Sequence, residues 1–286
     1  MDRIHALQEI ACVETLGWRA RLALDFVRRG ERTVLERRAH DGPLLVQKAL
    51  YPEGESVCHS IIVHPPGGIA GGDRLELSTF VDRAAHSLLT TPGAAKWYRS
   101  SGPLATQQIK FDVAEDAALE WLPHETIVFD GALARQQTEI RLSAGARYIG
   151  WEVLCLGRSG AGERFTHGQW HARTFIERSG KALFLERAVL DGGNGADSSP
   201  VLLANHSVVG TLIAAAPQFS SELLALCRQA APENGSAAVT LLPGIFVARY
   251  LGDSSEAAKR YFVALWRVLR PALLGKAAVE PRIWRT

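Results

Sequence analysis

Apolar and polar residues alternate along most of the chain. Leu22, Leu24 and Phe26 fall on every second position of segment 17–27. So do Leu75, Leu77, Thr79 and Val81, then Ile109, Phe111 and Val113, then Thr138, Ile140 and Leu142. A period of two sends successive side chains to opposite faces, so these segments are half-buried strands. Further strands are predicted over 43–49, 57–63, 87–91, 119–122, 126–129, 147–156, 170–177, 182–190, 206–215, 237–242 and 245–250. Segment 28–38, rich in arginine but carrying Glu31 and Glu36, reads as a solvated hairpin. Turns such as Asp130-Gly131, Ala144-Gly145 and Ser179-Gly180 punctuate the series. The period changes only late. Ser220 or Ser221 caps a short predicted helix ending between Cys227 and Gln229, and Ser254 or Ser255 caps a longer one. In the latter, Ala258, Tyr261, Phe262, Leu265, Val268 and Leu269 form one apolar face, and Pro271 marks its end region. Many short strands with regular punctuation predict an all-β sandwich, barrel or stacked-sheet body. There is no βαβ alternation, no evident internal repeat and no linker, so residues 1–286 read as a single domain.

One stretch interrupts the alternation. Segment 64–73 reads HPPGGIAGGD, with strand-like sequence on both sides. Pro65 and Pro66 fix φ and donate no backbone hydrogen bond, and the paired glycines permit close approach. The stretch does not satisfy G-x-G-x-x-G, has no Gly-Lys-Ser/Thr after it and opens no helix, which excludes a phosphate-binding loop. It is either a wide connection or a site.

Composition narrows the class. The 286 residues are 47% hydrophobic and 22% charged, which describes a globular protein. A net charge of +2 provides no field for nucleic acid or an anionic membrane. Residues 1–5 show no basic region followed by an apolar run, so no signal peptide is expected. No apolar run approaches the ~20 residues needed to span a bilayer. Cys12, Cys58, Cys155 and Cys227 are scattered without a C-x-x-C pair, which points to free thiols in a reducing cytoplasm.

Candidate chemistry is sparse. Gly157-Arg158-Ser159-Gly160-Ala161 lacks the second glycine of a serine nucleophile elbow, and His124-Glu125 has no second zincin histidine. Cys58 and His59 would face opposite sides of a strand. The carboxylates Glu120, Glu152 and Glu186 are embedded in strand patterns. Each either faces solvent from a half-buried strand or enters a polar interior, where it needs a basic partner, water or a metal. Arg158 and Arg187 are the candidate partners.

Five stretches resemble one family. They are 64–73, TTPGAAKWYRSSG at 90–102, LEWLPHETIVFDGA at 119–132, WEVLCLGRSGAGERFTHG at 151–168, and LRPALLGK with PRIW between 269 and 284. In that order they resemble UreD (also called UreH), the urease accessory proteins. The resemblance implies a mainly β fold of stacked sheets in a solenoid-like body with two helices in the C-terminal third. It implies a non-catalytic cytoplasmic scaffold that assembles with UreF and the GTPase UreG as a dimer of heterodimers with UreF. That assembly docks on apo-urease and helps deliver nickel, with nickel in transit and no permanent cofactor. Residue by residue, it assigns Asp73, Glu152 and Glu186 to a polar nickel route, with His64 beside it and Arg158 as a partner. Ala95 stands where some relatives have serine. Oxygen donors bind nickel weakly, which suits transfer better than storage. Phe262, Trp266, Arg270, Ile283 and Trp284, on the last helix and tail, are expected to face UreF. The rival readings are a metal-dependent hydrolase using the same acids and histidines, and a passive interaction module.

Overall fold

The computed structural model describes residues 17–195 and 198–285. Residues 1–5, read above for a signal peptide, and Cys12 lie outside the described residues, as do Ala196, Asp197 and Thr286.

The chain starts with a hairpin of β1 (Arg19–Arg29) and β2 (Arg32–Asp41), followed by β3 (Leu45–Leu50) and β4 (Cys58–Val63). From there it winds between two sheets. The glycine stretch leads into β5 (Arg74–Val81), and a tight turn leads to β6 (His86–Thr90). A corner containing β7 (Ala95–Trp97) leads to β8 (Ala105–Val113), and a second tight turn to β9 (Ala118–Trp121). A corner containing β10 (Thr126–Val128) leads to β11 (Leu133–Leu142), and a third turn to β12 (Arg147–Leu156). A last corner reaches β13 (Gln169–Arg178), which closes into a hairpin with β14 (Lys181–Asp191). The remaining elements are β15 (Val208–Ala215), α1 (Ser221–Cys227), β16 (Ser236–Leu242), β17 (Ile245–Gly252) and α2 (Ser255–Leu274).

Two stacked sheets result. The seven-stranded sheet has the order β14-β13-β11-β8-β5-β1-β2. The ten-stranded sheet runs β16-β17-β15-β12-β9-β6-β4-β3, with β7 and β10 paired at its side. The central strands of both sheets are parallel. Parallel neighbours need a long crossover, usually a helix. Here the crossover is a strand of the opposite sheet, so the fold is mainly β and solenoid-like without any βαβ unit.

The winding is an internal repeat, contrary to the sequence expectation. Ala85, Ala117 and Ala146 are buried and recur about every 30 residues, each as the last residue of a tight turn. The residue before each has positive φ: Ala84 at 55°, Asp116 at 56° and Gly145 at 68°. The turns stack through backbone bonds, with the Ala118 and Arg147 N–H groups donating to the Ala85 and Ala117 carbonyls. The repeat escaped notice because its signature is backbone conformation, met by three different residue types.

One core fills the space between the sheets, with Leu22, Leu24, Phe26, Trp97, Phe111 and Trp170 fully buried. A second lies on the outer face of the ten-stranded sheet, where α2 covers Trp151, Leu212 and Phe246. Ser220 and Ser254 cap the two helices by accepting from the Leu223 and Ala257 N–H groups at 3.1 Å. Phe262, Trp266 and Arg270, expected on a partner-facing surface, are fully buried in this second core. The apolar stripe of α2 is therefore used by the chain itself. Trp284 of the tail also turns inward, donating to Thr90 Oγ1 at 2.8 Å and packing on Trp151 and Trp266. Ile283 beside it is half-buried.

Candidate functional site: a polar stripe between the sheets

Period-two burial places alternate residues of each strand on the inner face. In β11 these include Ala134, Gln136, Thr138, Ile140 and Leu142; in β12, Tyr148, Gly150, Glu152 and Leu154. Ladder register then aligns the polar members. Across the ten-stranded sheet, Glu152 pairs with Thr211 of β15, and Thr211 with Arg249 of β17. Across the facing sheet, Gln107 of β8 pairs with Gln136, while Thr138 pairs with Thr174 of β13 and Thr174 with Glu186 of β14. A polar stripe thus crosses an otherwise apolar interior.

Two cavities follow this stripe. The larger, about 440 Å³, lies under the glycine stretch and is lined by His64, Gly67, Gly68, Ala95, Lys96, His124, Gln107, Gln136 and Glu152, among others. The smaller, about 160 Å³, is lined by Glu152, Thr138, Thr174, Thr211, Glu186 and Arg249 among others. Glu152 and Trp121 belong to both. Glu152 Oε1 accepts from Gln136 Nε2, while the buried Gln136 Oε1 has no partner among the described residues. Burial pushes the Glu152 carboxyl up to about 7; the Gln136 hydrogen bond opposes this and the negative charge of Glu186 adds to it. Glu186 is paired with Arg249 Nη2 at 2.5 Å, and Arg249 Nη1 donates to Thr211 Oγ1 at 2.8 Å.

The predicted residues meet different fates. Glu152 and Glu186 line one cavity, and His64 and Glu152 line the other. Burial lowers the His64 imidazole and the charge of Asp73 opposes that. Asp73 itself does not line the stripe. Its carboxylate accepts from the Trp18 and Ala70 N–H groups, both at 2.8 Å, and so closes the glycine loop. Arg158 reaches none of the acids. It is half exposed, pairs with Glu163 at 2.6 Å and stacks over Phe129. Arg187 is exposed as well. The arginine that meets Glu186 is Arg249, which the sequence reading missed. Gln136, Thr138, Thr174 and Thr211 were missed too. Their signal was available as parity: each is a polar residue in step with the inward apolar set of its strand.

The glycine stretch gains a structural meaning. A Cβ on Gly68 would lie 2.2 Å from the Tyr98 ring, and one on Gly71 would lie 2.3 Å from Ser100 Oγ. Glycine at these positions lets the next corner stack directly on this one. The stretches 64–73, 90–102, 119–132 and 151–168 contain the successive corners of the solenoid, and the first three contribute to the wall of the larger cavity.

Glu120 lies on the other face of the same sheet, fully buried and not solvent-facing. It accepts from Trp266 Nε1 at 2.6 Å and from Arg270 Nε at 3.0 Å, and meets His86 Nε2 at 2.8 Å. Arg270 also pairs with Glu53 at 2.7 Å, and Glu53 meets His59 Nε2 at 2.6 Å. Burial pushes both carboxyls up, but their partners more than reverse it, His86 and Arg270 at Glu120, His59 and Arg270 at Glu53. Glu53 is held at about 2. This is a compensated ion network under α2.

Among the described residues, no three His, Cys, Asp or Glu side chains converge as a metal-binding group. No helix among them is long and apolar enough to cross a membrane.

Fold and site together define a two-sheet β-solenoid whose apolar interior is crossed by a polar stripe. A model of the UreD urease accessory protein family matches residues 19–285. A "Urease accessory protein UreD" from Dechloromonas aromatica is 52% identical over 274 residues, covering 94% of this chain and 95% of the relative. Relatives with the same description from an Azoarcus species and Methylobacillus flagellatus are 51% and 46% identical; each alignment covers 94% of this chain and 95% of the relative. The chain belongs to the UreD family of urease accessory proteins. Its relatives are named as accessory proteins, not as enzymes.

Proposed function

We propose that the chain is a cytoplasmic, non-catalytic scaffold that works with UreF and UreG on apo-urease, as a dimer of heterodimers with UreF. Nickel passes through its interior and is not kept. The observation that supports this reading is the place of Glu152, which lines both cavities and so stands where one would pass into the other. Two carboxylates and several neutral oxygen donors give a divalent ion weak, exchangeable ligation, as transfer requires. His64 stands at the wide end and Glu186 at the narrow end.

The test is co-expression with urease and its other accessory proteins. Glu152→Ala and Glu186→Ala are expected to leave complex assembly intact and to lower urease nickel content. Full nickel content in both variants would refute the route. A chain that turns over a substrate alone while holding a metal tightly would instead support the hydrolase reading.

A further inference from the structure

Arg249 is a cation on a route assigned to cations. It stands on the inner face of β17, in ladder register with Thr211, which is itself in register with Glu152. One side of its guanidinium holds Thr211 on its own sheet and the other holds Glu186 on the facing sheet. It therefore spans the gap between the sheets where the smaller cavity is bounded by Glu186. The pair is 43% and 32% exposed at its side chains, and partly solvated pairs of this kind are weak and exchangeable. The Arg270 pairs differ, since Arg270 is fully buried and holds two carboxylates. Glu152, with no cationic partner recorded among the described residues, lines the same cavity as the exchangeable pair, and the unpartnered Gln136 Oε1 belongs to the amide that bonds Glu152 from the larger cavity. One further carboxylate thus lines the cavity with Glu186, and a monovalent cation, Arg249, occupies Glu186 itself.

We propose that Arg249 is a tethered counter-cation that occupies the Glu186 carboxylate until a divalent metal ion advancing from Glu152 displaces it. This rests on the passage reading. The exchange makes and breaks no covalent bond. The ion gains the Glu186 oxygens, and the guanidinium swings out while remaining within reach of Thr211. Arg249 thereby keeps the Glu186 carboxylate charge-compensated when the route is empty, and favours doubly charged ions over singly charged ones.

The experiment measures Ni²⁺ binding to the full-length chain by equilibrium dialysis with Mg²⁺ in the background. Removing the competitor in Arg249→Gln is expected to tighten Ni²⁺ binding about fivefold, the scale on which a partly solvated ion pair competes. Arg249→Lys, which restores a tethered cation, is expected to return to within about twofold of the parent. The double variant Arg249→Gln, Glu186→Gln is expected to lose the gain. Circular dichroism confirms folding of each variant. Unchanged or weaker Ni²⁺ binding by a folded Arg249→Gln chain overturns the proposal. Glu152→Gln in the urease co-expression assay separates the two levels. If it leaves urease fully loaded, the passage reading fails. If it blocks loading while Arg249→Gln binds Ni²⁺ like the parent, only the counter-cation role fails.

Discussion

Glu120 and Glu152 occupy neighbouring strands of one sheet, each flanked by tryptophan and aliphatic residues, yet their environments are opposite. Glu120 points outward under α2, where Arg270, His86 and Trp266 meet it and hold its carboxyl below the usual range. Glu152 points inward to a pair of cavities, accepts one amide hydrogen bond and is pushed up to about 7. A buried carboxylate with several donors and a cation is part of the architecture. A carboxylate left under-compensated beside open volume has capacity for something the chain does not supply. Parity along the strand, one step of the pleat, decides which of the two an acid becomes.

The comparison can be broken most forcefully at Arg270. Arg270→Ala leaves Glu53 and Glu120 buried without their cation and should cost about 3–5 kcal/mol, seen as a lower urea midpoint or loss of soluble protein. A loss near zero would mean that the network does not hold α2 down. Asp73 belongs with Glu120 in kind, since its carboxylate is satisfied by backbone donors. Asp73→Ala should therefore lower stability by about 1–3 kcal/mol, and any loss of nickel delivery should track that loss. Normal stability with abolished delivery would move Asp73 back onto the route.

Acid titration sharpens the contrast because the two faces carry opposite signs. Glu152 has a folded value of about 7, above its ordinary 4.5, so ionising it opposes folding. Its contribution is most favourable below pH 4.5 and is lost as pH rises through 7. Glu53 is held at about 2, so its contribution is full above pH 4.5 and is lost as pH falls towards 2. Melting temperatures of Glu152→Gln and the parent should therefore coincide near pH 4.5 and diverge in favour of the variant by pH 7.5. Parallel curves would remove the claim that Glu152 is under-compensated. The smallest effect is expected at Arg158, whose pair with Glu163 is solvated. Arg158→Ala should change stability by less than about 0.5 kcal/mol and leave nickel delivery unchanged.

Most strands and both helices were legible because alternation and serine caps are local signals, while the three-residue β7 is too short to alternate. Segment 147–156 coincides with β12, and Ser254 is the cap of α2. The winding was not legible, because stacking of Ala85, Ala117 and Ala146 is a long-range consequence of turn conformation. Glu186 and Glu152 could be picked out as acids in apolar strands, but not their companions. Arg249 lies 63 residues after Glu186 and meets it only because the chain returns as β17 of the opposite sheet. Phe262, Trp266 and Arg270 misled for the same reason: an amphipathic helix shows that it has a burial face, and only the fold shows that the chain's own sheet takes it.

The most direct test sets Glu152→Gln against the parent in cells that make urease and its accessory proteins, with urease nickel measured after confirming equal complex assembly. The account predicts normal assembly and nickel-poor urease. Fully loaded urease from that variant would contradict it.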